Sequence, residues 1–195
     1  MIFPEYEKTG VVYHIVSLND LKNVLSQGIQ YDDKVTYHTK YYDFHKIIDD
    51  HRTENIPSWV IRKKAIFASL NYPEAHKFHS HTAILSIRID PNKCWIANEN
   101  CANAIYEPFI LQEIEGFHQC RNYLATEGRS LLVAYWDTSL SFLKNLEQRY
   151  DRKKGYDAEV LIQHAIDPKD IEIKYILSDH QMLEVEEWRK RFCNC

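Results

Sequence analysis

Apolar and polar positions alternate with period two over residues 158–163, where Ala158, Val160 and Ile162 interleave with Glu159, Leu161 and Gln163. That spacing predicts a strand. After a turn at Asp167-Pro168, Ile171, Ile173 and Tyr175 begin a second alternation and predict another. Residues 11–16 are apolar on both sides, the pattern of a strand central in a sheet. Ser17 then opens a helix whose apolar face is Leu18, Leu21, Val24 and Leu25, with Asp20 as a capping-box-like partner and Gly28 as its stop. Further strands are predicted at 65–70, closed by Asn71-Tyr72-Pro73, and at 82–89, closed by Asp90-Pro91, with Cys94-Trp95-Ile96-Ala97 pairing after it. Helical spacing marks 39–50, through Tyr41, Phe44, Ile47 and Ile48, and also 105–122 and 139–150, the last with Leu140, Leu143 and Leu146 three apart. Residues 131–136 are wholly apolar and suit either a helix or a strand, 98–104 read as a loop, and Leu183, Trp188 and Phe192 predict a closing amphipathic helix.

Glu159 stands out in this pattern because it lies early in an apolar strand. A carboxylate there either faces water at a strand edge or is held by a partner, since burying an unpaired charge is costly. His14 sits where a strand turns into a helix. It is either a core histidine bonded to backbone or a recognition group beside first-turn amides that favour an anion.

At 195 residues, with 45% hydrophobic and 13% aromatic content, the chain suits one domain, 1–195, with a sizeable core. The net charge of −4 gives no global basic character, so charge alone does not suggest a nucleic acid. No run of about 18 apolar residues and no signal-like N-terminus is present, which implies no membrane and a cytoplasmic location. Cys94, Cys101, Cys120, Cys193 and Cys195 form an odd set without Cys-x-x-Cys spacing and fit a reducing compartment. His76, His79 and His81 are the one metal-like cluster, but the second ligand pair that zinc usually wants is not near in sequence. The charged run 147–156 reads first as a solvated face.

Two stretches resemble a known family. Ala158-Glu159-Val160-Leu161-Ile162, followed by Ile166-x-Pro168-x-x-Ile171, is similar to the catalytic strand of ADP-ribosyltransferases, and most of all of DarT-type DNA ADP-ribosyltransferase toxins. Tyr13-His14-Ile15-Val16-Ser17-Leu18-Asn19-Asp20-Leu21, with Gly28, resembles that family's opening His-Ile-Thr strand and helix. Val16 stands in place of the threonine, and Asn19-Asp20 in place of an Asp-Asn pair. The resemblance implies an α+β fold with a split, mixed sheet of about six strands, an NAD cleft and flanking helices. It implies transfer of ADP-ribose from NAD, as co-substrate, to a macromolecular acceptor such as a base of single-stranded DNA or another nucleic acid, in a toxin neutralised by an antitoxin protein. Glu159 is then the catalytic carboxylate, and an arginine from the 52 to 62 region, Arg52 or else Arg62, binds the diphosphate or assists the acceptor. Tyr13, His14, Ser17, Asn19, Gly28 and Ser69 are the residues toward NAD, and 149–156, with four basic residues and two tyrosines, faces the acceptor. The family's Tyr-Phe-x-Pro-Arg run has no counterpart after Ser69. A catalytically silent binding domain of the same fold and a metal-dependent hydrolase built on the histidine cluster are the other readings.

Overall fold

The computed structural model describes residues 3–31, 35–72, 76, 78–179 and 181–193. In chain order the strands are β1 (Val11–Ser17), β2 (Ile66–Ser69), β3 (Thr82–Arg88), β4 (Cys94–Asn98), β5 (Leu140–Ser141), β6 (Ala158–Ile162), β7 (Ile171–Ser178) and β8 (Gln181–Glu184). The helices are α1 (Tyr6–Thr9), α2 (Leu18–Gln27), α3 (Val35–Asp50), α4 (Glu99–Leu111), α5 (Gln119–Tyr123), α6 (Arg129–Asp137), α7 (Phe142–Gln148) and α8 (Val185–Phe192). The chain divides into two compact units. One comprises Met1–Gln30, Ile66–Asp90 and His164–Cys195, and the other Tyr31–Ala65 and Pro91–Gln163.

In the first unit β1 lies between β2 and β3, and β7 and β8 continue the order beyond β3, every pair antiparallel. A strand with neighbours on both sides and covered faces needs apolar residues at consecutive positions, which explains why Val12, Tyr13 and Val16 are all buried. The register between β3 and β7 slips by one residue after Ile84, passing over Lys174, so the ladder carries a bulge there. Phe3, Tyr13, Ile84 and Leu177 form a buried cluster, and Val11, Ile15, Tyr72, Phe78, Tyr175 and Met182 pack against it. Each such side chain contributes about 1.5–3 kcal/mol when fully buried. Ser17 caps α2 by accepting from the Asn19 amide at 3.3 Å. Of the predicted apolar face of α2, Val24 is buried and Leu25 is exposed.

In the second unit β4 lies between β5 and β6, again antiparallel, with Ala97 opposite Glu159 and Asn98 opposite Ala158. The expectation of a loop at 98–104 is corrected: Asn98 ends β4 and caps α4, its side chain accepting from the Asn100 amide at 3.2 Å. Residues 131–136 resolve as helix, and α6 buries Leu132, Tyr135 and Trp136. Trp136 donates its indole N–H to Ile48 O at 2.6 Å, fastening α6 to α3. The leucine row predicted for 139–150 is replaced by another face. Leu140 belongs to β5 and Leu143 is exposed, while Phe142 and Asn145 are the buried residues of α7.

The class is therefore α+β, as the resemblance implies. Within each unit the described strand pairs are antiparallel, where a mixed sheet was expected. The closing amphipathic helix is present as α8, opened by a reciprocal box between Glu184 and Glu187, although Leu183 falls in β8 and α8 buries no residue. Among the described residues no helix is long and apolar enough to cross a membrane.

Candidate active site

Glu159 is not a strand-edge carboxylate in water. It is 4% exposed, as is Arg62, and the two meet inside the second unit. Arg62 Nη2 donates to Glu159 Oε2 at 2.9 Å and to Oε1 at 3.1 Å, and Arg62 Nε reaches Oε1 at 3.3 Å. Tyr135 completes the arrangement. Its hydroxyl donates to Glu159 Oε1 at 2.5 Å while its oxygen accepts from Arg62 Nε at 2.9 Å. A hydroxyl has one proton and two lone pairs, so both bonds are compatible. Bidentate, charge-assisted contacts of this kind are the strong ones, and burial makes each depend on the others.

Two residues of α3, four apart and so on one face, hold Arg62 in place. Asp49 accepts from the Arg62 amide at 2.8 Å and from the Lys63 amide at 3.0 Å, which fixes the short 3-10 turn Arg62–Lys64. His45 Nδ1 accepts from Arg62 Nη1. The guanidinium also lies over the rings of Tyr135 and Phe44, at 5.5 and 5.8 Å from their centres. Burial, and then the Arg62 cation, push the His45 pKa down to about 2, so the imidazole is neutral and accepts.

Burial raises several neighbours. The Tyr135 hydroxyl is held well above its ordinary value mainly by burial. Glu99, the first residue of α4, is lifted to about 7 by burial and then by the charges of Glu159 and Asp157, against the pull of Arg62. The Cys101 thiol and the Tyr156 hydroxyl are raised by burial and then by Glu159. The chain entering β6 is tied to the start of α4: Asn98 accepts from the Asp157 amide at 3.0 Å, and Asn98 and Asn100 both donate to Gly155 O. In the basic run before it, Arg149 is occupied by Asp151 at 2.7 Å, while Arg152, Lys153 and Lys154 are exposed.

Of the two arginines left open by the sequence, Arg62 is the one brought to Glu159. Arg52 is engaged elsewhere, its Nη1 donating to Val60 O at 2.6 Å and to Ser58 O at 3.2 Å, where it braces the chain leading to Arg62. The other sequence-assigned residues lie in the first unit. His14 is buried rather than presented at a strand end, and its Nδ1 donates to Phe67 O at 2.7 Å. Tyr13 is a core residue, edge-on to Phe3 and donating to Pro4 O. Ser69 is half-buried opposite Tyr13, Ser17 is the helix cap, and Asn19 is exposed. Gly28 stops α2 as predicted, but at φ +86 and ψ −164 rather than in the left-handed helical conformation common for a glycine after a helix. An added Cβ there would stand 2.0 Å from Ile166 O.

His45, Asp49, Glu99 and Tyr135 were not singled out from the sequence. The i, i+4 spacing of His45 and Asp49 on a predicted helix was the one signal available for them. Tyr135 was hidden in a run whose element type was open. Among the described residues no group of three or more His, Cys, Asp or Glu side chains is arranged to hold a metal ion. His76 instead packs its ring against Tyr72 and Phe78. Comparison of the chain with family models, curated proteins and solved structures found no match.

The neutral His45 gives a pH prediction. Between pH 6.5 and about 2 the unfolded chain takes up a proton at this position that the folded chain refuses, so His45 makes stability fall on acidification. Glu99, protonated up to about 7 in the folded chain, acts in the opposite sense between 7 and 4.5. Urea unfolding across this range should show the steeper acid loss below pH 4.5. In His45→Gln, which keeps an acceptor beside Arg62 but cannot gain a proton, the loss between pH 6.5 and 4.5 should be smaller than in the parent. Equal slopes in parent and variant would show that His45 is protonated in both states.

Proposed function

We propose that this chain is an NAD-dependent mono-ADP-ribosyltransferase acting on a macromolecular acceptor, with Glu159 as its catalytic carboxylate and Arg62 as the arginine beside it. The observation that carries the reading is the buried Arg62–Glu159 pair, closed by Tyr135, on the strand whose sequence resembles that family's catalytic strand. Cleaving a glycosidic bond to nicotinamide develops positive charge at the ribose carbon, and an anchored carboxylate stabilises that charge. Arg62 and Tyr135 fix the Glu159 rotamer and keep its charge where it is needed. When bound, NAD supplies the ribosyl carbon and a nicotinamide leaving group. The residues present fit that co-substrate in one respect. Glu159 Oε2 accepts from Arg62 Nη2 among the described contacts and retains acceptor capacity for a ribose hydroxyl. The exposed Arg152, Lys153 and Lys154, a few residues before Glu159, support an acceptor carrying phosphates, DNA among them, with an antitoxin as the expected partner.

A second reading is favoured by the 4% exposure of Glu159: a silent domain in which the ion pair serves folding alone. Labelled NAD, supplied with single-stranded DNA, RNA and cell lysate in parallel, separates the two. The parent should transfer label, and Glu159→Gln should lose transfer. Because Gln would leave the Arg62 cation buried and unbalanced, Tyr135→Phe is measured beside it. That variant keeps the ion pair, and its transfer should fall about tenfold or more if Tyr135 helps position the carboxylate. NAD binding with no transfer by the parent would support the silent domain, and transfer undiminished in a folded Glu159→Gln would remove Glu159 from the mechanism.

A further inference from the structure

β4 and β6 place a second carboxylate beside Glu159. Ala97 lies directly opposite Glu159, and the Glu99 amide donates to Asp157 O at 2.8 Å, so the antiparallel register continues one step past the last paired residues of the ladder. Successive side chains alternate between faces, so Ala97 and Glu99 share one face with Asp157 and Glu159. Glu99 is therefore the diagonal neighbour of Glu159 across the strand pair, about 7–8 Å away between backbones and closer between side chains. It is held there. Glu99 begins α4, and Asn98 and Asn100 fasten that first turn to the chain at Gly155–Asp157 through three side-chain bonds to Gly155 O and the Asp157 amide.

The two carboxylates have different surroundings. Glu159 is occupied by a guanidinium and a phenol, whereas Glu99 is half-buried and its carboxyl makes no ion pair among the described residues. Resting on the transferase reading above, we propose that Glu99 is the general base of the reaction, taking the proton from the acceptor while Glu159 stabilises the ribosyl carbon. The step balances. The bond from the ribose carbon to the nicotinamide nitrogen breaks, with the electron pair leaving on neutral nicotinamide. The bond from the ribose carbon to the acceptor nitrogen or oxygen forms, and the acceptor's proton passes to the Glu99 carboxylate and then to water. One carboxylate held by a guanidinium beside a second whose proton affinity is raised by burial is the arrangement that divides an electrostatic role from a proton-transfer role.

The charged groups acting on Glu99 are Glu159 and Asp157 on β6 and its entry, and Arg62 on the 3-10 turn; the Cys101 thiol and the Tyr156 hydroxyl are raised by the same Glu159 charge. Its pKa of about 7 places its deprotonation within the working range of a base. Transfer by the parent should rise with pH through about 7 and then level. Glu99→Gln should bind NAD by calorimetry with the parent's affinity, yet transfer at least about 100-fold more slowly and without that rising limb. Asp157→Asn removes one of the charges that raise Glu99, so its limb should move to lower pH. A carbon-13 titration of glutamate-labelled protein should show a carboxyl titrating near neutrality that is missing in Glu99→Gln, a result independent of turnover. Parent-like transfer and an intact limb in Glu99→Gln would overturn the role of Glu99 while leaving the transferase reading in place. Neither NAD binding nor transfer by the parent would overturn both.

Discussion

Arg62→Met should lower the folding free energy by about 3–5 kcal/mol, among the largest losses available to a single substitution in this chain. The reason is the state in which it leaves Glu159. At 4% exposure that carboxylate is left buried without the guanidinium, and Tyr135 supplies one hydrogen bond where four contacts stood. The pair itself is a weaker contributor than this loss suggests, because forming it required both ions to be desolvated. Arg62→Met combined with Glu159→Leu should therefore recover much of the single-variant loss. Recovery should stop short of the parent by about 1–3 kcal/mol, since Tyr135 and His45 lose polar partners in the same change. Urea unfolding of the four proteins forms a double-mutant cycle. A strongly favourable coupling is expected, and single losses below about 1 kcal/mol with no coupling would mean that the carboxylate is solvated, as in a surface pair. On the proposed transferase reading, the double variant also separates folding from chemistry, because it should be a folded protein without transfer.

The strand carrying Glu159 and the doubly apolar strand at 11–16 were legible in the sequence because period two and continuous apolar runs are local properties. The partner of Glu159 was not. Arg52 and Arg62 differ by ten positions, and nothing local distinguishes them. Asp49, thirteen residues before Arg62, accepts the amides that turn the chain there, while Arg52 is used to brace the backbone at 58–60. Tyr135 comes from a helix 24 residues before Glu159, and a wholly apolar six-residue run gives no sign of which of its members carries a buried hydrogen bond. Glu99 was missed for a related reason. An Asn-Glu-Asn sequence has the composition of a loop, and only the pairing of β4 with β6 shows that Asn98 caps a helix and that Glu99 falls across from Asp157. In the first unit, Tyr13 and His14 were read toward a ligand, whereas both have hydrogen bonds to backbone carbonyls inside a covered strand.

Gly28→Ala should cost about 3 kcal/mol or more, for a reason that lies in the close approach of two backbones. At φ +86 and ψ −164, Gly28 occupies a region that side-chain-bearing residues essentially avoid, at a strain of about 1–3 kcal/mol. The added methyl would also stand 2.0 Å from the carbonyl oxygen of Ile166. That oxygen cannot turn away freely, because it accepts from the Ile29 amide at 2.9 Å while Ile29 O accepts from the Ile166 amide at 2.9 Å. Relieving the clash therefore sacrifices two hydrogen bonds, each worth about 1 kcal/mol net, and loosens the segment that leads into β7. Gly10 supplies the control within the same unit. It has φ +68, and a methyl added there would meet nothing within 4 Å, so Gly10→Ala should carry only the left-handed strain of about 1–2 kcal/mol. Thermal unfolding of the two variants compares a conformational cost with the same kind of cost plus a backbone collision. Equal losses would show that the 28–30 segment moves to admit the methyl, and a larger loss at Gly28 would assign this glycine to chain packing rather than to a ligand.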